Sequence, residues 1–104
     1  MANFLLLYTG GKMPEGEAET KQVMEAWGQW FGKLGDGVVD AGNPTSPHSK
    51  TIDTDRSASD APAQVSGYSI IKAESLDDAS EKARGCPVLG GCSKGMVYES
   101  VPAL

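Results

Sequence analysis

The feature that most constrains the fold of this chain is a strand–helix–strand pattern that occurs twice, over residues 4–42 and again over residues 67–101. Two such units in one chain predict a β-sheet with one helix crossing over it in each half. A chain of 104 residues has the length of one domain, so the two units are expected to share one hydrophobic core. The pattern therefore predicts a single domain over residues 1–104.

The first unit is indicated by an uninterrupted apolar run followed by helical periodicity. Residues 4–8 are all apolar, which is typical of a strand that is covered on both faces. A helix is predicted over residues 17–34 because large apolar residues recur there at helical spacing. This apolar stripe comprises Val23, Met24, Trp27, Trp30, Phe31 and Leu34. A short strand over residues 38–41 completes the unit.

The second unit contains a strand over residues 67–73 whose two faces are both largely apolar. Ser75 is the predicted N-cap of a helix over residues 76–84, with Asp78 three residues later as an acidic capping-box partner. The last strand is predicted over residues 96–101.

A polar connection rich in Ser, Thr, Asp and Pro joins the two units. Within it we predict a short edge strand over residues 50–52 and a hairpin turn over residues 53–56. The complete order is that of the ferredoxin-like split β-α-β plan, an α+β fold with an antiparallel sheet and two helices on one face. Two helices leave the second apolar face uncovered, and the simplest cover is the same face of another copy. We therefore expect a symmetric homodimer.

The composition disfavours several classes of partner. Nine Lys and Arg residues stand against 14 Asp and Glu, a net charge of −5, so nucleic acid and anionic membranes are poor candidates. We see no signal peptide and no apolar run long enough to span a bilayer. Cys86 and Cys92 are six residues apart with a single histidine elsewhere, too few ligands for a closed zinc site. We expect no metal and no cofactor, and a cytoplasmic location.

An ordered set of segments resembles the YCII-related domain family, in particular its DGPF-type branch. The segments are the Gly-Tyr strand at residues 67–71, the Glu-Ser-Leu-Asp-Asp-Ala stretch at residues 74–79 and Gly-Cys-Pro at residues 85–87. The family's Asp-Gly-Pro-Phe motif stands here as residues 60–63, with Ala61 and Ala63 replacing Gly and Phe. The resemblance covers nearly the whole chain. It implies a dimeric α+β barrel and carries no established reaction.

Asp60 and His48 are the candidate catalytic residues. Asp60 precedes Ala-Pro, and burial in a cleft under the first helix would raise its pKa into the range useful for proton transfer. The alternative is that Asp60 caps a turn. His48 is the only histidine and can pair with Asp60 as a base with its orienting group. Its alternative is a solvated loop residue, and some YCII-type relatives carry their histidine on the first helix instead.

A pocket for a small ligand is the second hypothesis. Aromatic side chains concentrate on the first helix and the facing strand, and the proposed polar edge of the pocket comes from Asn43, Asp60 or Ser69. The candidate ligand-binding residues are Trp27, Trp30, Asn43, Tyr68 and Ser69. The alternative is ordinary core packing, which helical spacing also predicts. Because glycine costs roughly 1 kcal/mol against alanine inside a helix, Gly28 and Gly32 predict a flank of the helix that backbone or ligand approaches closely.

The function expected from these residues is binding of a small organic molecule in a cleft between the first helix and the sheet, with weak acid/base chemistry at Asp60. The competing hypothesis is a non-catalytic dimeric interaction module. The absence of a histidine from the first helix favours the module.

Overall fold

The computed structural model describes residues 1–10, 16–46, 48–60, 65–87 and 94–102. The strands are β1 (Ala2–Thr9), β2 (Val38–Asp40), β3 (Lys50–Ile52), β4 (Ala58–Asp60), β5 (Val65–Ala73) and β6 (Lys94–Ser100). The helices are α1 (Gly16–Leu34) and α2 (Leu76–Ala83), and a 3₁₀ turn (Gly35–Gly37) follows α1. The chain is thus a small α+β protein with two helices and antiparallel sheets, as the sequence predicts.

The main sheet has four strands in the order β2-β5-β1-β6, and every neighbouring pair is antiparallel. The sheet is open, with β2 and β6 at its edges, and the single chain does not close into a barrel. Strands β3 and β4 form a separate two-stranded sheet. This hairpin contains the edge strand predicted at residues 50–52, now paired with β4.

One face of the main sheet, the covered face, carries the core. Phe4 and Leu6 of β1 and Ile71 of β5 are fully buried there. The core also includes Trp30 of α1 and Ala79 of α2, so both helices pack against this face. The pleat explains the division, because successive side chains of a strand point to opposite faces.

The opposite face, the open face, carries two cross-strand rows of apolar side chains. In one row Leu5 lies between Ile70 and Tyr98; in the other Leu7 lies between Tyr68 and Met96. Tyr98 and Met96 are exposed, and Tyr98 Oη donates a hydrogen bond to Met96 Sδ at 3.6 Å. Among the described residues, the helix side chains of the core cluster pack on the covered face and none packs on the open face.

Helix α1 is anchored by its second half alone. Trp30 is buried, whereas residues 16–26 are all exposed. Val23 and Met24, predicted to face the core, are among the exposed residues. That prediction was wrong: the α1 residues that belong to the core cluster or pack against it begin at Trp27. Within the described residues, neither helix combines the length and apolarity that a membrane span requires.

Helix α2 begins at the predicted cap. Ser75 Oγ accepts a hydrogen bond from the Asp78 backbone N–H at 3.1 Å, and Asp78 Oδ2 accepts one from the Glu74 N–H at 3.0 Å. These bonds satisfy amides near the helix start that have no intrahelical partner. The Glu74 amide and Lys82 lower the pKa of Asp78. The side chain therefore keeps its negative charge, and with it these contacts, further into the acidic pH range.

Candidate functional site

A cavity of about 270 Å³ lies between the end of α2, β1 and β6. Its lining is mainly apolar and comprises Leu6, Tyr8, Ala83, Cys86, Gly95 and Val97, together with the polar residues Ser80 and Arg84. The sequence hypothesis placed a ligand cleft between the first helix and the sheet. The cavity found in the structure is beside the second helix instead.

Local sequence explains why space remains there. Gly95 is the register partner of Tyr8, so no side chain from β6 stands opposite the tyrosine ring. On the helix side, Gly85 packs against Trp30, where an added Cβ would lie 3.2 Å from Trp30 Cδ1. The Cys86 N–H donates to the Ala83 carbonyl at 3.0 Å. This close turn after α2 brings the Cys86 side chain into the cavity wall.

Tyr8 supplies the main polar group of the site. Its phenol donates to Ser69 Oγ at 2.8 Å, and Ser69 Oγ donates to the Ala41 carbonyl at 2.7 Å. Ser69 is fully buried, so these two linked hydrogen bonds satisfy polar atoms that water cannot reach. Burial raises the pKa of Tyr8 well above its usual range; the Ser69 bond opposes this and neighbouring Cys86 adds to it. The phenol therefore stays neutral at physiological pH.

An aromatic cluster fills the space between α1 and the sheet. Trp27 lies edge-on to Tyr8, with ring centroids 5.2 Å apart, and 5.8 Å from Trp30. Phe31 contacts both tryptophans. Trp30 Nε1 donates to the Lys82 carbonyl at 3.0 Å, which ties α1 to the last turn of α2. The structure thus places Trp27 and Trp30 in packed core, the alternative that helical spacing also predicted.

The remaining predicted pocket residues do not line one pocket. Tyr68 lies on the open face and Ser69 on the covered face, because they are consecutive in β5. The strand aromatic that faces the tryptophans is Tyr8, not Tyr68. Asn43 is exposed, and its backbone carbonyl accepts from the Tyr68 N–H at 3.3 Å. Of these residues only Ser69 adjoins the site, through Tyr8.

Asp60 and His48 are both exposed. Asp60 ends β4, its side chain is 91% exposed, and its Oδ1 lies 3.2 Å from Lys50 Nζ. The expected desolvation under the first helix is therefore absent, and the ion-pair partner of Asp60 is Lys50 rather than His48. The His48 N–H donates to Ser46 Oγ at 3.2 Å, which fits the alternative of a solvated loop residue.

A larger depression of about 690 Å³ runs along the first turns of α1. All of its described lining residues are exposed, among them Thr20, Met24 and Glu25. Because it offers no desolvated polar group, binding there would gain little over solvent. The smaller cavity beside α2 is the better candidate.

Metal binding gains no support from the part of the chain that the structure describes. No three His, Cys, Asp or Glu side chains cluster within it. Cys86 is buried and forms no disulfide there, and Cys92 lies outside the described residues. Cys86 instead interacts with Tyr8.

Sequence reasoning missed the three residues that define the cavity: Tyr8, Cys86 and Gly95. One signal was present. Ser69 is a hydroxyl in an otherwise apolar strand with both faces covered, so it required a buried hydrogen-bond partner. Tyr8, with a hydroxyl in the other apolar strand, was the available donor.

Comparison with protein-family models gave no match, and comparison with curated proteins gave none either. The resemblance to the YCII-related family therefore rests on the sequence segments alone.

Proposed function

We propose that this chain is a ferredoxin-like, YCII-related cytoplasmic protein that acts as a homodimer and binds a small organic molecule in the cavity beside α2. The strand order supports the ferredoxin-like assignment, since β5 lies between β1 and β2, and β1 between β5 and β6. This is the arrangement that two interleaved β-α-β units produce.

The cavity carries the functional proposal. It combines apolar walls with a few converging polar groups, the usual composition of a small-molecule site. At about 270 Å³, it is close to the lower limit of roughly 300 Å³ for ligand pockets. The ligand is therefore small.

Charge narrows the ligand class further. Tyr8 is held neutral; its proton goes to Ser69, and its oxygen, which also interacts with Cys86, has two lone pairs, so it can accept a hydrogen bond from a ligand. Arg84 is exposed, and its Nε lies 3.1 Å from Glu81 Oε1, so its charge is already paired. Because an uncompensated charge is costly in apolar surroundings, the site favours a neutral, mainly apolar molecule with one hydrogen-bond donor. The proposal assigns no proton transfer to Asp60, whose carboxylate is solvated.

Indole is a suitable probe because it is small, apolar and carries one N–H donor. In a titration followed by ¹⁵N NMR, we expect saturable shifts at the Gly95 and Cys86 amides. Ala83→Leu should fill the cavity and abolish them, since Ala83 lines it. Ala26→Leu is the matched control, because Ala26 is exposed on α1. Absence of saturation in wild type, or equal binding by both variants, would refute the site.

The homodimer is supported by the open face. Two rows of three apolar side chains lie there, centred on Leu5 and Leu7. An apolar patch of this kind on a small domain is typical of an interaction surface, and the same face of a second copy covers it symmetrically.

The second candidate function is a non-catalytic interaction module. Two observations favour it: Asp60 and His48 are exposed, and the aromatic cluster around Trp27 is packed as core. The indole titration separates the candidates, because a module predicts a dimer with no saturable binding at the cavity.

A further inference from the structure

The hairpin arm, residues 48–60, has no core of its own. Every one of its residues is exposed, and Ile52 is 66% exposed. Strands β3 and β4 are joined by only three residue pairs. The hydrogen bonds described for residues 50–60 join residues of the arm to one another. One example runs from the Ser57 N–H to Asp55 Oδ1 at 2.9 Å. A lone two-stranded hairpin is only marginally stable in water, so the arm is expected to gain stability by packing elsewhere.

The root of the arm is fixed at one end of the main sheet. Thr45 donates through its N–H to the Ser66 carbonyl at 3.0 Å and through Oγ1 to the Val65 carbonyl at 2.7 Å. Val65 pairs with Thr9, which pairs with Lys94. The arm therefore leaves the sheet at the end that carries Lys94.

The shape of the chain is consistent with a projecting arm. Its radius of gyration is 15.1 Å, whereas a compact chain of this length has a radius of roughly 13 Å. The principal extents are 44, 43 and 19 Å, a flat outline.

Charge indicates where the arm packs. On the strands of the main sheet, the charged residues at open-face register positions are Lys72 and Lys94, the partners of Asn3 and Thr9, and Asp40, the partner of Ile70. Two lysines against one aspartate leave this face with a net positive charge, on a chain that carries −5. The turn at the tip of the arm carries two carboxylates, Asp53 and Asp55, against one cation, Arg56, and hydrogen bonds from Ser57 lower the pKa of Asp55. The tip thus remains anionic and complements the lysines of the open face.

We propose that, in the homodimer inferred above, each arm clasps the second copy, with Ile52 and Ala58 against the margin of its open face and Asp53 and Asp55 near its Lys72 or Lys94. Ile52 and Ala58 are register partners and share one face of the hairpin. The length is sufficient: Lys50 to Asp55 is six residues, which at roughly 3.3 Å each reach roughly 20 Å, while stacked sheets lie roughly 10 Å apart.

Carbodiimide cross-linking of an equal mixture of ¹⁴N and ¹⁵N protein tests the contact directly. The reagent joins carboxylates to amines in contact, and mass spectrometry identifies mixed-isotope peptides as links between copies. We expect mixed-isotope links from Asp53 or Asp55 to Lys72 or Lys94. Links that are all single-isotope, or the absence of arm links while other links between copies form, would overturn the clasp.

A second measurement separates this inference from the dimer itself. Ile52→Ser should raise the dimer dissociation constant at least tenfold in sedimentation equilibrium, because both arms lose an apolar contact. Thr51→Ser, on the other face of the hairpin, should leave it within twofold. If the wild-type protein is monomeric, the dimer proposal fails and the clasp with it. If Leu7→Glu breaks the dimer while Ile52→Ser behaves as Thr51→Ser, the clasp alone fails.

Discussion

At the residue scale, Gly42 shows how one position fixes the edge of the sheet. Its φ is +79°, and an added Cβ would overlap the carbonyl oxygen of Tyr68. The Gly42 N–H donates to Asp40 Oδ1 at 2.8 Å. The turn therefore lets the chain pass close to β5 as it leaves β2. It also places the Ala41 carbonyl within hydrogen-bonding distance of Ser69 Oγ.

We expect Gly42→Ala to lower the free energy of unfolding by about 2–4 kcal/mol, since strain and overlap combine. Urea denaturation measures the change. The control is Gly28→Ala, a helical position with open space around it, which should raise stability by up to about 1 kcal/mol. Equal effects of the two substitutions would contradict the assigned role of Gly42.

Tyr8 gives a prediction for alkaline pH. Its pKa is raised in the folded state, so above the ordinary tyrosine pKa of about 10 the unfolded chain releases a proton that the native chain retains. Stability is then fully present below that pH and falls as the pH rises towards the folded-state pKa. Tyr8→Phe should make the fall in the free energy of unfolding with rising pH less steep, by up to about 1.4 kcal/mol per pH unit. Urea midpoints between neutral and alkaline pH measure it; an unchanged slope would count against the buried phenol.

At the element scale, the short helix α2 depends on its cap. Its Ser75 N-cap bonds the Asp78 amide, and its last turn receives Trp30 Nε1 at the Lys82 carbonyl. The same turn leads to Cys86 in the cavity wall, so the cap and the α1 contact together position one side of the site.

Ser75→Ala should lower the free energy of unfolding by about 1 kcal/mol, the usual effect of losing an N-cap. Ser80→Ala is the control: Ser80 Oγ bonds the Leu76 carbonyl four residues earlier within the helix, a bond of little net value. Thermal unfolding compares the two variants. A Ser80 variant that loses more stability than the Ser75 variant would contradict the assignment of the cap.

The elements themselves were predictable because their signals are local. The apolar run of β1, the cap of α2 and the turn at residues 53–56 are all legible in short windows of sequence. The site was not legible in this way, because Tyr8, Cys86 and Gly95 come from three elements and meet only through sheet register. The exposure of Val23 likewise depends on which part of α1 packs against the core, a tertiary property that periodicity does not contain.

At the scale of the whole molecule, the main sheet has one face packed against the helices and one apolar face that is partly exposed. The covered face contains Phe4, Leu6 and Ile71, fully buried under the helices. The open face exposes Met96 and Tyr98 beside Leu5 and Leu7. A flat domain of this size gains most by pairing its apolar face with another. We propose that a second copy covers the open face.

The molar mass in solution tests this claim most directly, by light scattering at micromolar concentration. We predict a mass twice that of the 10.9 kDa chain, and a shift of Leu7→Glu to the monomer mass, because a buried carboxylate at the centre of the face is costly. Thr20→Glu, an exposed position on α1, should remain dimeric. A wild-type mass of 10.9 kDa, or a dimer that Leu7→Glu leaves intact, would contradict the account.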